Sequence, residues 1–491
     1  MKWKKAPENT NEKPLLVVVG LGVSGQAACR WGLRQGYRVL GMDRSQEPPL
    51  RSVAMRLEAE GIRVRLGAHR LEDFLDAELV VVSPGVPVDT EVFRAVRGRG
   101  IAVVGELEWA WRSLKVPTIA VTGTNGKTTT TELVGTLLQA AGFRVFVGGN
   151  IGTPLAGWLT DHWEDVGGGA AAADLLDWCV LEVSSFQLDT APTFAPDIGI
   201  VLNVTQDHLD RYESFDAYAA SKFTLFKRRT CFVQTAVINK DDPVCRRWVS
   251  QIPASALFFS RSEPGAEAFT DGRILSVMDR GGVHRRFRLD RWALKGWHNL
   301  ENLMAATLVA LRCGVDPQKV QDVIDTFRPS PHRMEWLGTI DGVGFINDSK
   351  GTNVGAVIKA LESCSQPVVL LLGGRSKKTE FRQLAPLCPE KVRAVVGFGE
   401  TGPQVAEELS GHVATVVVGD LESAFHEAVQ RARPGDVVLL SPACASFDQY
   451  PNYAARGDHF RALFELHKKK ASQCSGRPEQ GADAWIATGR P

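Results

Sequence analysis

Short apolar runs alternate with helix-forming segments along most of the chain. In the first part of the chain these runs predict strands at Leu15–Val19, 38–42, 79–82 and 101–104. Because the runs are apolar throughout and are joined by helical sequence, they predict a parallel sheet with helices on both faces. We expect this first domain to close near Leu114.

The same alternation restarts twice. The second series begins with a strand at Thr118–Thr122 and a helix over 127–141, and its further strands are predicted at 144–147, 178–183, 198–202 and 236–239. After a hinge marked by two prolines, the third series predicts strands at 344–346, 368–372, 394–396, 415–418 and 437–440. The predicted domains are therefore 1–115, 116–328 and 329–470, followed by a mobile tail over 471–491.

Composition and charge exclude several classes of protein. The 57 basic and 56 acidic residues give a formal charge of +1, so no overall field favours nucleic acid or an anionic membrane as a partner. No run approaches the roughly 18 apolar residues of a membrane span, and no export signal opens the chain, so we expect a cytoplasmic protein. Nine scattered cysteines without a C-x-x-C pair predict buried free thiols.

The segment after the strand at Thr118–Thr122 predicts a nucleoside triphosphate site. It reads Gly-Thr-Asn-Gly-Lys-Thr-Thr from Gly123 to Thr129 and leads into a helix. The glycines let backbone N–H groups face a polyphosphate, Lys127 neutralises charge, and the Thr128 hydroxyl is a ligand for Mg²⁺. The full pattern G-x-x-x-x-G-K-[ST] has glycine where Val121 stands, so this loop departs from it at one position.

A second glycine pattern lies in the first domain. Gly20-x-Gly22-x-x-Gly25 follows the first strand, and Asp43 ends the next one, which is the fingerprint of dinucleotide binding. Alone it indicates NAD. It fits equally a domain that binds the diphosphate and ribose of any nucleotide-linked substrate, or a packing turn.

Three further residues in the second series are candidates for metal or phosphate chemistry. Glu182 ends an apolar strand, where an α/β sheet presents a carboxylate beside a phosphate loop. His208 follows Asp207 just past another strand, a position that favours a site residue. Lys222 lies in a predicted helix, and its residue type alone predicts only a solvated surface charge.

Seven segments spread over nearly the whole chain resemble those of the Mur ligase family, the cytoplasmic enzymes that extend the peptide stem of the peptidoglycan precursor. They are Gly123 to Thr128, Gly148-Gly-Asn150-Ile-Gly, Leu181-Glu-Val-Ser-Ser-Phe-Gln187-Leu, Asn203 to Tyr212, His298-Asn299-x-x-Asn302, Pro331-His332-Arg333 and Asn347-Asp348-Ser349-Lys350-Gly351-Thr352-Asn353. The resemblance implies three α/β domains: a Rossmann-like N-terminal domain, a central P-loop mononucleotide-binding ATPase domain and a Rossmann-like C-terminal domain.

Within that family, two C-terminal segments resemble the D-glutamate-adding members. They are Leu371-Leu-Gly-Gly-Arg-Ser-Lys377 and Ser441-Pro-Ala-Cys-Ala-Ser446-Phe-Asp-Gln-Tyr-Pro-Asn-Tyr453. The Asp-Asn-Pro-Arg motif of the diaminopimelate- or lysine-adding relatives is absent from the sequence. The resemblance thus implies a monomeric ATP-dependent ligase that activates UDP-N-acetylmuramoyl-L-alanine as an acyl phosphate and joins it to D-glutamate.

The resemblance also implies roles for individual residues. Lys127, His208, Lys222 and Lys350 would be catalytic. Two Mg²⁺ ions would be bound by Thr128, Glu182, His208 and Lys222, the last as a carbamylated lysine. ATP would contact Gly123, Thr124, Asn125, Gly126, Lys127, Thr128, Thr129, Asn299, Asn302, Arg333 and Asp348. The UDP-linked substrate would contact Gly22, Asp43, Arg44, Gly85, Asn150 and Gln187. D-Glutamate would contact Lys350, Thr352, Lys377, Ser446, Phe447 and Tyr453.

Two departures from the family pattern affect the D-glutamate residues. Tyr453 stands where phenylalanine is common, and the loop sequence leaves Lys377 and Lys378 as alternatives for the glutamate carboxylate, with loop position favouring Lys377.

Four other functions compete with this interpretation. A sister ligase with another amino acid and a folylpolyglutamate synthase share the phosphate loop, although the first domain argues against the folate enzyme. An NAD-dependent oxidoreductase would leave the phosphate loop unexplained. A nucleotide-gated regulatory protein without catalysis would be expected to lack Glu182, His208 or Lys222.

Overall fold

The computed structural model describes residues 13–162, 172–208, 211–227, 234–294, 296–328, 331–375 and 379–475. The chain divides into two compact units. The first consists of Met1–Val204, Tyr218–Asp290 and Glu301–Asp325 and contains two sheets; the second consists of Thr205–Ala217, Arg291–Leu300 and Thr326–Pro491 and contains one.

The first sheet has five parallel strands in the order β3-β2-β1-β4-β5; the apolar runs predict four of them and miss β3. Its strands are β1 Leu15–Val19, β2 Arg38–Asp43, β3 Arg63–Leu66, β4 Ala77–Val82 and β5 Ala102–Gly105. Its helices are α1 Val23–Arg34, α2 Pro48–Ala59, α3 Glu91–Gly98 and α4 Glu106–Leu114. The strand order reverses at β1, which opens a crevice at the carboxyl end of that strand.

The second sheet has nine strands in the order β14-β13-β12-β11-β10-β9-β6-β8-β7. Its strands are β6 Thr118–Thr122, β7 Val145–Gly149, β8 Trp178–Glu182, β9 Ile198–Val201, β10 Gln234–Asn239, β11 Ala254–Ser260, β12 Ala268–Thr270, β13 Ile274–Met278 and β14 His284–Arg288. The helices along this part of the chain are α5 Lys127–Ala140, α6 Leu155–Asp161, α7 Ser185–Asp189, α8 Phe215–Phe223, α9 Pro243–Val249, α10 Trp297–Arg312 and α11 Pro317–Thr326. Strands β6 to β12 pair in parallel, and β13 and β14 form an antiparallel extension; the apolar pattern predicts none of the four strands β11 to β14.

The third sheet has six strands in the order β15-β16-β20-β17-β18-β19. Its strands are β15 Glu335–Ile340, β16 Val343–Asn347, β17 Val368–Gly373, β18 Val392–Phe398, β19 Thr415–Val418 and β20 Val437–Ala443. Its helices are α12 Val354–Ser363, α13 Cys388–Lys391, α14 Gly402–Leu409, α15 Leu421–Arg431 and α16 Tyr453–Ser475. Only β15 pairs antiparallel, and alternate residues of β17 enter two separate apolar clusters, so both faces of this sheet are buried.

The predicted end of the third domain differs from the structure. Helix α16 continues to Ser475, past the predicted start of the tail at residue 471, and the remaining tail lies outside the described residues. Described cysteines carry free thiols, mostly buried, as predicted. Within the described ranges, no helix is long and apolar enough to cross a membrane.

Helix α4 joins the first sheet to the second through two buried carboxylates. Glu108 accepts hydrogen bonds from the backbone N–H groups of Thr193 (3.0 Å) and Phe194 (2.7 Å). Glu106, only 2% exposed, accepts one from Ala156 N at the start of α6 (2.7 Å). Burial raises the pKa of Glu106 to about 7, and the single backbone hydrogen bond only partly opposes this.

Replacing Glu106 by glutamine should therefore change how stability depends on pH. The folded state holds the Glu106 proton more tightly than the unfolded chain, so this stabilisation is complete below the unfolded pKa near 4.5 and is lost as pH rises through about 7. We expect the free energy of unfolding of Glu106→Gln to exceed that of the wild type at pH 8 by up to about 3 kcal/mol. At pH 4.5 the two should nearly coincide. Urea denaturation at both pH values measures this, and parallel pH profiles for the two proteins would contradict it.

Candidate active site

The loop between β6 and α5 has the backbone of a phosphate-binding loop. Gly123 and Gly126 both have positive φ, 149° and 86°. A Cβ on Gly126 would lie 2.3 Å from the side-chain oxygen of Asn302, so the loop approaches α10 too closely for any other residue. Asn203 holds the loop through two hydrogen bonds. Its backbone oxygen accepts one from Thr124 N (2.9 Å), and its side-chain oxygen accepts one from Asn125 N (2.9 Å).

Lys127, the first residue of α5, folds back over this loop. Its Nζ donates to the carbonyl oxygens of Gly123 (2.9 Å) and Thr124 (2.8 Å). The ammonium therefore lies beside the N-terminus of a 14-residue helix, where the helix dipole and unpaired N–H groups also favour an anion. Thr129 is buried in the same first turn.

A carboxylate faces the loop, as predicted from the end of β8. Glu182 is 2% exposed and accepts a hydrogen bond from the Thr128 hydroxyl. Asn150 donates to its other oxygen from Nδ2 (2.8 Å), and the Asn150 backbone N–H donates to the Glu182 carbonyl (2.9 Å). The strand pairing explains this meeting, since Glu182 is in register with Val121 of β6 and Gly149 of β7.

Thr128 and Glu182 are oxygen donors of the kind that Mg²⁺ prefers. In the described part of the chain no group of three or more His, Cys, Asp or Glu side chains could hold a metal ion. A Mg²⁺ ion held by Thr128 and Glu182 would also take ligands from water and nucleotide phosphates, as is usual for this ion in phosphoryl-transfer sites.

Lys222 is not a solvated surface charge, so the interpretation of its residue type alone was wrong. Its side chain is 2% exposed, and its Nζ donates to Gly123 O (3.0 Å) in the phosphate loop. The ammonium lies 4.5 Å from the ring centroid of Tyr218, one turn earlier in α8, and the Tyr218 hydroxyl is 3.2 Å from Thr124 Oγ1. The structure thus brings Lys222, Lys127 and the loop together in the first unit.

His208 belongs to the second unit. It has a positive φ of 56°, and its backbone N–H donates to Asp207 Oδ1 (2.9 Å). The same Asp207 carboxylate accepts from Asn353 Nδ2 (3.3 Å), at the start of α12. A left-handed backbone at a non-glycine residue is uncommon and marks a position worth a functional hypothesis.

Three of the predicted ATP contacts lie in the second unit: Asn299, Arg333 and Asp348. Asp348 accepts from Ser441 Oγ (2.7 Å) and Met334 N (3.2 Å). Burial raises its pKa to about 6, against the Ser441 hydrogen bond and the positive charge of nearby Arg333. Asn299 is buried near the start of α10.

The predicted D-glutamate residues lie at the ends of two strands of the third sheet and at the start of α16. Lys350 Nζ is 3.8 Å from the ring centroid of Tyr453, so the tyrosine presents an aromatic face to this ammonium group. Thr352 N donates to Lys350 O (2.8 Å), Ser446 is buried and Phe447 is 62% exposed. Lys377 and Lys378 lie outside the described residues, so the choice between them stays a prediction.

A cavity of about 460 Å³ lies at the carboxyl ends of β1, β2 and β4, where the first sheet reverses its order. Gly22, Asp43, Arg44 and Gly85 line it. The fingerprint contains Gly22 and Asp43, and the family resemblance implies Arg44 and Gly85 as contacts of the same substrate. Asp43 accepts from Leu21 N (2.8 Å) and Ser45 N (3.0 Å) and so holds the glycine turn to β2.

The sequence did not indicate two other residues that line this cavity, His69 and Ser83. Ser83 Oγ donates to Gly20 O (2.7 Å), and burial together with Arg44 lowers the pKa of His69. Gln187, predicted for the same substrate, does not line this cavity; it is buried and forms a capping box with Ser184 at the start of α7.

A phosphate loop with a lysine and a facing carboxylate, on a parallel sheet, defines a nucleoside-triphosphate-binding α/β protein, and the first sheet adds a second nucleotide-sized cavity. Three family models match in succession: the Mur ligase MurD-like N-terminal domain over residues 15–105, the Mur ligase middle domain over 121–310, and the Mur ligase glutamate ligase domain over 332–444. The chain belongs to the Mur ligase family, and the predicted three-domain fold is confirmed. Enzymes of this family depend on ATP and in general require Mg²⁺.

Curated relatives and solved structures agree with this assignment. The chain is 40% identical over 461 residues to the UDP-N-acetylmuramoylalanine–D-glutamate ligase of Acidobacterium capsulatum, which covers 93% of this chain and 97% of the relative. It is 40% identical over 446 residues to the enzyme of the same name from Desulfatibacillum aliphaticivorans, and this match covers 91% of this chain and 96% of the relative. A pseudomurein peptide ligase type C from Methanothermus fervidus shares the fold at 19% identity, with a TM-score of 0.56 over 93% of this chain and 100% of that one.

Proposed function

We propose that this enzyme joins D-glutamate to the L-alanyl carboxylate of UDP-N-acetylmuramoyl-L-alanine at the expense of ATP, in peptidoglycan precursor synthesis. The observation that carries the proposal is the phosphate loop on which Lys127 and buried Lys222 converge and which Glu182 faces through Thr128. The names of the relatives that are 40% identical over more than nine-tenths of the chain support the choice of substrates.

The reaction has two steps, each with a leaving group. A carboxylate oxygen of the substrate attacks the γ-phosphorus of ATP, and ADP leaves to give an acyl phosphate. The amine of D-glutamate then attacks the acyl carbon, a proton leaves the nitrogen, and inorganic phosphate departs as the peptide bond forms. Because the first step joins two anions, cationic groups at the loop are needed to offset their repulsion.

The residues at the loop divide this work. Lys127 neutralises the charge of the ATP phosphates. The phosphates are surrounded by the other residues of the loop, Gly123, Thr124, Asn125, Gly126 and Thr129. Thr128 and Glu182 would hold Mg²⁺, with His208 and a carbamylated Lys222 completing two ion sites. When bound, Mg²⁺ supplies charge neutralisation at the transferring phosphoryl group. Burial of Lys222 against Gly123 fits a role at the loop that an exposed lysine could not have.

The second unit would supply the remaining contacts. We propose Asn299, Arg333 and Asp348 for ATP, together with Asn302 of the first unit. Lys350 and Tyr453, already paired as cation and ring, would face the glutamate with Thr352, Lys377, Ser446 and Phe447. The domain boundaries 115/116 and 328/329 and a monomeric state belong to the same proposal.

The cavity of the first sheet would hold the UDP part of the substrate. Gly22 permits close approach of a diphosphate to the N-terminus of α1, and Asp43 with Arg44 lies at the end of β2, where a ribose or base is expected. Gly85 also lines the cavity, while Asn150 and Gln187 would meet the muramoyl part. This use of the fingerprint replaces the NAD-dependent oxidoreductase as its explanation.

Phosphate release measured with a panel of amino acids tests the substrate assignment. We expect release from ATP only when UDP-N-acetylmuramoyl-L-alanine and D-glutamate are both present, because the acyl phosphate forms on the first and is consumed by the second. L-Glutamate, L-lysine and meso-diaminopimelate serve as matched controls. Turnover with one of them and none with D-glutamate would reject the proposed amine and leave the ligase chemistry intact.

A further inference from the structure

A fully buried arginine lies at the carboxyl end of the third sheet, where α/β sheets bind their ligands. Arg456, in the first turn of α16, is 0% exposed. Its guanidinium donates to Ser349 Oγ from Nε (3.0 Å), to Ser349 O (2.9 Å) and Cys444 O (3.1 Å) from Nη2, and to Gly373 O from Nη1 (3.4 Å). Those oxygens are carbonyl and hydroxyl groups without formal charge.

The three residues that Arg456 contacts lie at or just after the carboxyl ends of three neighbouring parallel strands. Ser349 follows β16, Cys444 follows β20 and Gly373 ends β17, and these strands are adjacent in the order β16-β20-β17. One planar group with donors in a fixed fork therefore sets the spacing of three loops at one edge of the sheet. A Cβ on Gly374 would lie 3.1 Å from Nη1 and 2.2 Å from Ala445 O, so the β17 loop is packed tightly against both the arginine and the β20 loop.

Two of these loops carry residues of the proposed amino-acid site. Lys350 directly follows Ser349, and Ser446 lies two residues after Cys444. Ser349 has a second contact with α16, because its hydroxyl donates a hydrogen bond to the backbone oxygen of Tyr453 (2.8 Å). The ring of Tyr453 lies against the Lys350 ammonium. Arg456 and Tyr453 are three residues apart in α16 and thus position the same loop from one helical turn.

Burying this charge is costly, which argues against an incidental role. Desolvation lowers the pKa of Arg456 to about 10, so the folded protein disfavours its charged form relative to water. A hydrophobic residue of similar volume would fill the same space without that cost, but it would remove the hydrogen bonds that Arg456 donates to the carbonyl oxygens of the three loops.

We propose that Arg456 is a positioning residue for the amino-acid substrate, whose guanidinium fixes the distance between the loops that carry Lys350 and Ser446. The inference rests on the proposed function, because it names the site that D-glutamate would occupy. Arg456 does not itself contact the substrate in this proposal. Its effect reaches the site through Ser349 and Cys444.

Steady-state kinetics of Arg456→Met and Arg456→Lys, with each substrate varied in turn, tests the proposal. In Arg456→Met we expect the KM for D-glutamate to rise at least about tenfold, since a small displacement of binding groups has large effects. The KM for UDP-N-acetylmuramoyl-L-alanine should stay within about twofold of the wild type. Arg456→Lys keeps the charge but cannot reach three loops from one ammonium, so it should not restore the wild-type KM.

Arg431→Met is the matched control, because Arg431 forms only an exposed ion pair with Glu427 on α15 and should leave all three KM values unchanged. An unchanged KM for D-glutamate in a folded variant, or a parallel rise for all three substrates, overturns the proposal. So does failure of both Arg456 variants to fold, which would assign the residue to domain stability. If the wild type does not use D-glutamate, the proposed amine is wrong, and the amino acid that it does accept replaces D-glutamate in this test.

Discussion

Replacing Lys127 by alanine should abolish ATP-dependent phosphate release, with a fall in kcat/KM for ATP on the order of 10³-fold. The reason is electrostatic and local. The Lys127 ammonium is held over the phosphate loop by the carbonyl oxygens of Gly123 and Thr124, at the N-terminus of α5, and the substitution removes one of the two ammonium groups that contact Gly123 O. Without it, the attacking carboxylate and the γ-phosphate of ATP face each other with less charge compensation.

A coupled assay of phosphate release with saturating UDP-linked substrate and D-glutamate measures this effect. Lys240→Ala is the control, since Lys240 directly follows β10 of the same sheet but its described side-chain contacts are with Glu263 (2.5 Å) and the Phe258 ring, not with the phosphate loop. We expect that variant to keep wild-type turnover, because exposed ion pairs contribute little. Turnover of Lys127→Ala close to that of Lys240→Ala would show that the loop does not bind the triphosphate as proposed.

The parallel core of each sheet could be predicted because fully buried strands read as continuous apolar runs. Strands β6 and β17, with five and six buried residues, are examples. The strands that the pattern misses are of two kinds: β3, β14 and β15 lie at sheet edges and carry charged or exposed residues, and β11, β12 and β13 lie inside the second sheet but have only two buried residues each. Strand β3 reads Arg-Val-Arg-Leu, and β14 reads His-Arg-Arg-Phe-Arg with one buried side chain. Charge on such strands is what keeps edges from pairing with other chains, and it removes the apolar signal.

The residues of the candidate site also fall into those that could be predicted from the sequence and those that could not. Residues within one loop, such as Lys127, or at a strand end, such as Glu182, could be predicted because local sequence determines both position and chemistry. Lys222 could not be placed from its residue type, because its burial depends on Gly123, 99 positions earlier in the chain. Arg456 gives no sequence signal at all, since a charged residue in a helix normally faces solvent and only the packing of α16 against three loops buries it.

Lys222→Ala should lower turnover by about 100-fold, and short carboxylates such as formate and acetate should restore part of the loss. The buried Lys222 amine lies at Gly123, beside the loop that would hold the triphosphate and Mg²⁺. Addition of CO₂ to the neutral amine with loss of one proton converts a cation into an anion that suits a metal ion. Removing the side chain leaves a buried space next to the loop, which a small carboxylate can fill.

Lys222→Met separates this explanation from a purely structural one. Methionine fills most of the space, so it should show the same loss without rescue by formate or acetate, and Lys127→Ala should show no rescue either. Wild-type turnover should also fall in buffer depleted of CO₂ and bicarbonate, whereas Lys222→Ala should be insensitive to that change.

The possible results of these experiments assign different roles to the contact between Lys222 and Gly123. Unimpaired turnover of Lys222→Ala removes the carbamate from the mechanism. Loss without rescue by any carboxylate indicates that the ammonium itself is needed, as the donor to Gly123 O and the cation over the Tyr218 ring. If formate or acetate rescues Lys222→Ala but not Lys222→Met, and if the wild type depends on CO₂, an anion is required at this position. Formate and acetate are carboxylates, which cannot replace the hydrogen-bond donor of the lysine ammonium. In that case the contact between Nζ and Gly123 O describes the enzyme before carbamylation, and the loop carbonyl must exchange partners when the metal ions bind.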